Sequence, residues 1–332
     1  MLHRFLQIVD TAKDSNQKEH MKMIEVQNLK KKFKKKVAVE DMNFYLEDGE
    51  SVGLLGPNGA GKSTTISMIS TLMPPTQGSI KYNGKDVLKK PDELRKDLGV
   101  VPQEIALYEE LSAYENMKFF GKVYGLSGKM LENKIQEILE LVGLTNRQKE
   151  AVETYSGGMK RRINLAVALM HNPKTLIMDE PTVGIDPQSR NYILDMVRKL
   201  NREEGLTILY TSHYMEEVEK LCDRVYIMDE GHVIAAGTKN ELKSILSNEE
   251  TINIQVEEAK VEFADLLSSL QGINQVMEDD LGYNLIASKG EQLLGEIFDY
   301  ARQTEVKILG VHVQTPTLED VFLHLTGRKL RD

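Results

Sequence analysis

The sequence predicts an α/β fold of the phosphate-binding-loop type, followed by a small α+β module of ferredoxin-like order. Three observations predict it. The first is the run Gly56-Pro57-Asn58-Gly59-Ala60-Gly61-Lys62-Ser63, set between a short apolar strand at 51–55 and a helical stretch at 64–72. The second is the stretch 174–180, an apolar strand that closes on two carboxylates, Asp179 and Glu180. The third is a strand, helix, strand, strand, helix, strand pattern between Thr251 and Val313.

The first run fits G-x-x-x-x-G-K-[ST] in the setting such a loop requires, after a strand and before a helix. Its glycines let the backbone wrap close to phosphate oxygens, with successive N–H groups pointing inward. The following helix, from Thr64 on, adds its positive end to the same place. Lys62 then reaches the β- and γ-phosphates of a nucleoside triphosphate and Ser63 ligates Mg²⁺. A chance glycine-rich turn would lack the flanking strand and helix.

Composition narrows the class. With 332 residues the chain has room for two domains, and 41% hydrophobic residues describe an ordinary soluble protein with a real core. A net charge of −9 repels phosphates and argues against general nucleic-acid binding. The single cysteine, Cys222, excludes an internal disulfide and reads as a small buried apolar residue. Seven scattered histidines offer no metal-ligand spacing. The longest charge-free stretch, 63–80, holds eight Ser and Thr residues and a Pro-Pro pair, too polar to span a membrane. Residues 1–21 read as an N-terminal extension, with a short amphipathic helix placing Leu2, Phe5, Leu6 and Val9 on one side.

In the second run, Asp179 stands where it holds Mg²⁺ through its hydration shell, and Glu180 where it faces the water attacking the γ-phosphate. Between the two runs lies Tyr155-Ser156-Gly157-Gly158-Met159-Lys160-Arg161-Arg162. Met159, Ile163, Ala166, Val167 and Met170 along one face predict a helix from here on. Ser156, Gly157 and Gly158 then occupy its N-terminus, where free N–H groups grip an anion. Lys160, Arg161 and Arg162 in the first turn oppose the helix dipole by roughly 0.3–1 kcal/mol each. Either a docked triphosphate offsets them or they face water.

This stretch resembles the signature of the ABC (ATP-binding cassette) ATPases, usually Leu-Ser-Gly-Gly-Gln. Further matches follow in the family's order. Gln103 in Val100-Val101-Pro102-Gln103 is similar to the glutamine that senses Mg²⁺ and the attacking water. Gly184-Ile185-Asp186-Pro187 resembles the loop that crosses to the partner subunit. His213 matches the histidine that contacts the γ-phosphate, and Phe33 the aromatic residue on which adenine stacks. The resemblance spans 24–246. It implies a RecA-like core with antiparallel β and α-helical subdomains, the latter at about 104–170, within an ATPase domain at 22–247. Two residues depart from the pattern: Met159 replaces the signature glutamine and Tyr155 the leading leucine.

The resemblance also implies a head-to-tail dimer, as homodimer or with a related ATPase, in which each ATP lies between Lys62 of one subunit and Ser156 to Gly158 of the other. The lysine-rich run 30–36 brackets the adenine position and reads as a solvated hairpin that helps to draw in anionic ATP, rather than a nucleic-acid or lipid site. Fewer than a hundred residues separate Lys62 from Ser156, leaving room for a small helical subdomain and none for a long coiled coil. In transporters of the family that the sequence resembles, a groove around 103–111 receives a helix of the membrane subunit. The resemblance places the apolar residues Leu107, Tyr108 and Leu111 there, or they pack within that subdomain.

The tail, 248–332, carries the ferredoxin-like pattern and then a helix capped by Thr317, with Asp320 three residues on. Its ending, Pro316-Thr317-Leu318-Glu319-Asp320-Val321-Phe322, looks like that of the bacterial daunorubicin-resistance exporters, whose channel is a separate polypeptide. The expected function is an ATPase that drives a separate permease, at the cytoplasmic face of a bacterial membrane, to export a drug, antibiotic or similar amphiphile. Lipid or polysaccharide transport, import, or a soluble ATPase acting on ribosomes or nucleic acid are the alternatives.

Overall fold

The structure is a computed structural model that describes residues 22–246, 249–279, 281–288, 293–314 and 316–327. They form two compact units that part between Thr238 and Lys239. The amphipathic helix expected at 1–20 lies outside the described residues.

The first unit begins with β1 (Lys22–Phe33), β2 (Lys36–Glu47), β3 (Ser51–Leu55) and α1 (Lys62–Ile69). Next come β4 (Gln77–Tyr82), β5 (Lys85–Asp86), α2 (Pro91–Asp97) and β6 (Leu98–Val101). A helical stretch follows: α3 (Ala113–Val123), α4 (Gly128–Leu141) and α5 (Gly157–Leu169). The unit closes with β7 (Thr175–Asp179), α6 (Pro187–Glu204), β8 (Thr207–Ser212), α7 (Met215–Leu221), β9 (Arg224–Asp229) and β10 (His232–Thr238).

Two sheets result. One is antiparallel, in the order β2-β1-β4-β5. The other runs β10-β9-β3-β8-β7-β6, with the pairs β9–β3, β3–β8, β8–β7 and β7–β6 all parallel. Every residue of β3, β7 and β8 is buried. Such runs cannot present a polar face to water, so a sheet covered on both sides is their natural home.

The helical stretch is built on amphipathic spacing. Leu131, Ile135, Ile138 and Leu139 form the buried stripe of α4. Ser112 and Glu115 make a reciprocal capping box at the start of α3. Helix α5 departs from the one-faced pattern expected of it. Every residue from Ile163 to Leu169 is buried, because α3, α4, α6 and β6 all pack on it. It is an enclosed helix.

The second unit contains α8 (Lys239–Lys243), β11 (Glu249–Val256), α9 (Val261–Ser269), β12 (Ile273–Asp279), β13 (Gly282–Ser288), α10 (Leu294–Gln303), β14 (Ile308–Gln314) and α11 (Leu318–Thr326). Its sheet order, β12-β13-β11-β14, is antiparallel at every pair and is the ferredoxin-like arrangement. Ile252, Ile254, Tyr283 and Leu285 share one core with Phe263 and Leu267 of α9 and Ile297 and Ala301 of α10. Helix α8, which the sequence reading assigns to the ATPase domain, packs on α11 in this unit.

The start of α11 is a capping box. Asp320 N–H donates to Thr317 Oγ1 at 3.3 Å, and Thr317 N–H to Asp320 Oδ2 at 2.6 Å. Thr317→Ala is expected to cost about 1 kcal/mol. An unchanged denaturant midpoint for the second unit would count against the cap.

Candidate active site

Strand β3 delivers the chain from the buried sheet directly into the loop 56–61, and α1 begins at Lys62. Gly61 caps that helix with φ 106°, and a Cβ there would sit 2.6 Å from the Ala38 carbonyl oxygen. Both facts demand glycine. Gly56, Pro57 and Ala60 are buried, Asn58, Gly59 and Ser63 are exposed, and Thr64 is half-buried. The loop thus turns its middle and the Ser63 side chain outward.

Lys62 is only 4% exposed. Its Nζ donates to Gly56 O at 2.7 Å and Pro57 O at 3.2 Å, and pairs with Glu180 Oε1 at 3.1 Å. Glu180, one residue past β7, adopts φ 46°. Its N–H donates to Thr211 Oγ1 at 2.9 Å, and that hydroxyl donates to Asp179 Oδ1 at 2.8 Å. The other carboxylate oxygen, Oε2, accepts from Gln103 Nε2 at 3.5 Å and lies 3.4 Å from His213 Nδ1. The His213 contact has no hydrogen-bond geometry.

Lys62, Gln103, Asp179, Glu180 and His213 therefore meet at one place, from four separate stretches of sequence. The topology explains why. They follow or close β3, β6, β7 and β8, which lie side by side and parallel, so their carboxyl ends open on the same edge. That edge is where open α/β sheets bind ligands.

Behind this cluster stands a carboxylate the sequence reading missed. Glu217 is 2% exposed and accepts from Thr182 Oγ1 at 2.7 Å, Tyr210 OH at 2.8 Å and Ser212 Oγ at 2.8 Å. Arg190 Nε lies 3.4 Å from it. Burial, and then the adjacent Glu217 charge, push the Tyr210 hydroxyl well above its ordinary range. Thr182 follows Glu180 by two residues and Ser212 precedes His213, so Glu217 braces both functional loops. No spacing rule marks a glutamate on a short amphipathic helix as buried. Glu217→Leu strands three hydroxyls and a guanidinium and is expected to lower stability by about 2–4 kcal/mol. Calorimetric melting of the variant at the wild-type temperature would remove this role.

Ser156, Gly157 and Gly158 do not join the cluster in the single chain. Ser156 caps α5, accepting from Met159 N–H at 3.3 Å. A Cβ on Gly158 would lie 2.1 Å from Ser189 Oγ, so the start of α5 presses on the start of α6. Asp186 caps α6, accepting from Ser189 N–H at 2.8 Å, and that bond holds its carboxyl below the usual range. Phe33, at the end of β1, is 45% exposed with Lys31 Nζ 5.2 Å from its ring centre. Lys30 pairs with Glu40 at 2.5 Å and Lys31 Nζ donates to Pro74 O at 2.6 Å. Two lysines of the run are thus spent on the protein itself.

Arg161 overturns both expectations for it. It faces neither water nor an anion, but is 6% exposed and donates through Nη1 to Pro102 O at 3.1 Å and Gln103 O at 2.7 Å. Burial lowers its basicity. Arg162 donates to Val142 O at 3.0 Å and lies over the Tyr192 ring, and Lys160 pairs with Glu109 at 2.6 Å. Tyr108, 47% exposed, packs edge-on against Phe119 with ring centres 5.1 Å apart.

A phosphate-binding loop, a lysine in contact with a glutamate at a sheet's carboxyl edge, and a polar helix N-terminus displayed separately define an ATPase cassette. The ABC transporter family profile matches residues 39–183, and that of the "ATP-binding protein DrrA1-3-like, C-terminal domain" matches 237–326. The chain belongs to the ABC transporter ATP-binding proteins and is an ATPase that binds ATP. It is similar to the linearmycin resistance ATP-binding protein LnrL of Bacillus subtilis (strain 168), 50% identical over 93% of this chain and 100% of that one. It is also similar to the daunorubicin resistance ATP-binding protein DrrA3 of Streptomyces coeruleorubidus, 35% identical over 92% of this chain and 96% of the relative. Among solved structures, the ATP-binding cassette MJ0796, a dimer in a post-hydrolysis state bound to ADP and Pi, matches with TM-score 0.61. It is 26% identical and covers 65% of this chain and 98% of that chain.

Proposed function

We propose that this chain powers a separate membrane permease that exports an antibiotic or similar amphiphile, working at the cytoplasmic face of a bacterial membrane. The observation that carries the ATPase half is the Glu180 carboxylate, shared among Lys62, Gln103 and His213 within 3.1–3.5 Å. The exporter half rests on likeness over nearly the whole chain to antibiotic-resistance ATP-binding proteins, the C-terminal unit included.

In this reading the loop 56–64 holds the triphosphate of ATP. Lys62 exchanges the Gly56 and Pro57 carbonyls for phosphate oxygens, and loosens its hold on Glu180 as it does so. Glu180 then accepts a proton from the water that attacks the γ-phosphate. Gln103 and His213 orient that water and the phosphate. Among the described residues no cluster of three His, Cys, Asp or Glu side chains makes a metal cage. The exposed Ser63 hydroxyl, Asp179 and the Gln103 amide are hard oxygen donors, which suit Mg²⁺ shared with phosphate and water. When bound, Mg²⁺ neutralises charge on the transferring phosphoryl group.

Two copies, or this chain and a relative, sandwich ATP head to tail. Ser156, Gly157 and Gly158 of one subunit cap the nucleotide held by the other, with Asp186 at the junction. Phe33 offers adenine a π face. The exposed aromatic pair Tyr108 and Phe119 gives a membrane subunit an apolar place to dock.

The test is to express tagged Glu180→Gln chain in its native host, solubilise the membranes mildly with ATP present and identify what co-purifies. A polytopic membrane protein in stoichiometric amount is expected. A dimer without one, or one carrying ribosomes or nucleic acid, would reject the transport reading.

A further inference from the structure

The segment that carries Gln103, between β6 and α3, has no helix or strand of its own. It is nevertheless tied at two points to α5, the helix that opens at Ser156. Arg161 Nη1 donates to Pro102 O at 3.1 Å and to Gln103 O at 2.7 Å. One turn on, Asn164 Oδ1 accepts from Ala106 N–H at 3.2 Å. Residues three apart share a helix face, so a single face of α5 grips both sides of the Gln103 turn. Lys160 adds a third tie, to Glu109 at 2.6 Å.

Arg161 and Asn164 are 6% and 3% exposed. Burying a guanidinium is costly, and charge-assisted bonds to two carbonyl dipoles offset the loss of water. An apolar side chain of similar length would fill the same space without that cost. The arrangement favours a role that needs the directed bonds.

We propose that Arg161 and Asn164 are positioning residues that fix the Gln103 segment to α5, so that Gln103 and the helix N-terminus at Ser156–Gly158 shift as one body. The inference rests on the function proposed above, in which Gln103 serves the ATP of its own subunit and Ser156–Gly158 cap the partner's. A rigid link between them makes occupancy of one ATP site felt at the other, since both sites bias the same element. Gln103 is thereby more than a local sensor.

Hydrogen exchange on the full, nucleotide-free chain tests the link without any appeal to catalysis. Asn164→Leu is expected to speed exchange of the Ala106 amide by about tenfold or more. Arg161→Met is expected to speed exchange across 103–107 while α5 keeps its protection. In steady-state assays, Arg161→Met should lower kcat and bring the Hill coefficient for ATP toward one. Combined with Gln103→Ala, it should lose no more than the worse single variant, because both act through one residue. Unchanged exchange at 103–107 would overturn the link, as would losses that multiply in the double variant. Should Arg161→Met not fold, Arg161→Lys takes its place. It keeps the charge but gives up the planar fork, and exchange at 103–107 between wild-type and free-loop rates is the expected result. A wild-type chain without ATP turnover would reject the proposed function while leaving the exchange result decisive for the link.

Discussion

Glu180→Gln is expected to keep ATP bound and to lose turnover by about 10²–10⁴-fold, the range of a general base. The substitution keeps the size of the side chain and one of the two oxygens that Lys62 and Gln103 meet. What it removes is the charge that accepts a proton. Lys62 is also freed of its competing anion, 3.1 Å away, so nucleotide affinity should hold or rise. In the function proposed above hydrolysis separates the two subunits, so the variant should accumulate as an ATP-bound dimer. Size-exclusion chromatography with light scattering, run with ATP and Mg²⁺, reads this directly. Wild-type turnover would remove Glu180 from the base position, and a monomer under those conditions would count against the ATP-bound dimer.

Lys62→Met is expected to do the opposite and lose nucleotide binding by about 10²–10³-fold. Lys62 is the cation in contact with the loop carbonyls and Glu180, and in the function proposed above it exchanges those carbonyls for phosphate oxygens. Removing it also leaves the Glu180 carboxylate, itself 5% exposed, without its lysine. Breaking a buried pair from one side costs about 3–5 kcal/mol, so the first unit should also unfold at lower temperature. Equilibrium titration with a fluorescent ATP analogue, beside a thermal melt, separates the two effects. Wild-type affinity in a folded Lys62→Met chain would show that the loop binds phosphate without its lysine. The two variants together distinguish holding ATP from cutting it.

The loop motif was legible because its chemistry is local. Gly61 needs φ 106° at the position where the helix starts, and consecutive residues record that requirement. The tail was legible for a related reason. Ile252, Ile254 and Val256 alternate along β11, and Thr317 with Asp320 writes the helix start into four residues. The sequence reading of Arg161 failed because a cation in the first turn of a helix looks the same whether it meets water or a buried carbonyl. Glu217 went unnoticed because its three hydroxyl partners, Thr182 and then Tyr210 and Ser212 of β8, come from two separate stretches of the chain.

What the sequence by itself determined is therefore the set of parts: the phosphate loop, the acidic strand end, the displayed Ser156–Gly158 helix start and the two-unit α/β and α+β composition. The order β3-β8-β7-β6 is a property of the packed sheet. That order places Gln103, Glu180 and His213 around Lys62, and packing of α5 turns Arg161 inward to Gln103. Hydrogen-bonding needs and φ angles act between neighbours in the chain, so residues reveal them in sequence. Which strands lie side by side depends on burying many apolar faces at once, and only the folded chain resolves that choice.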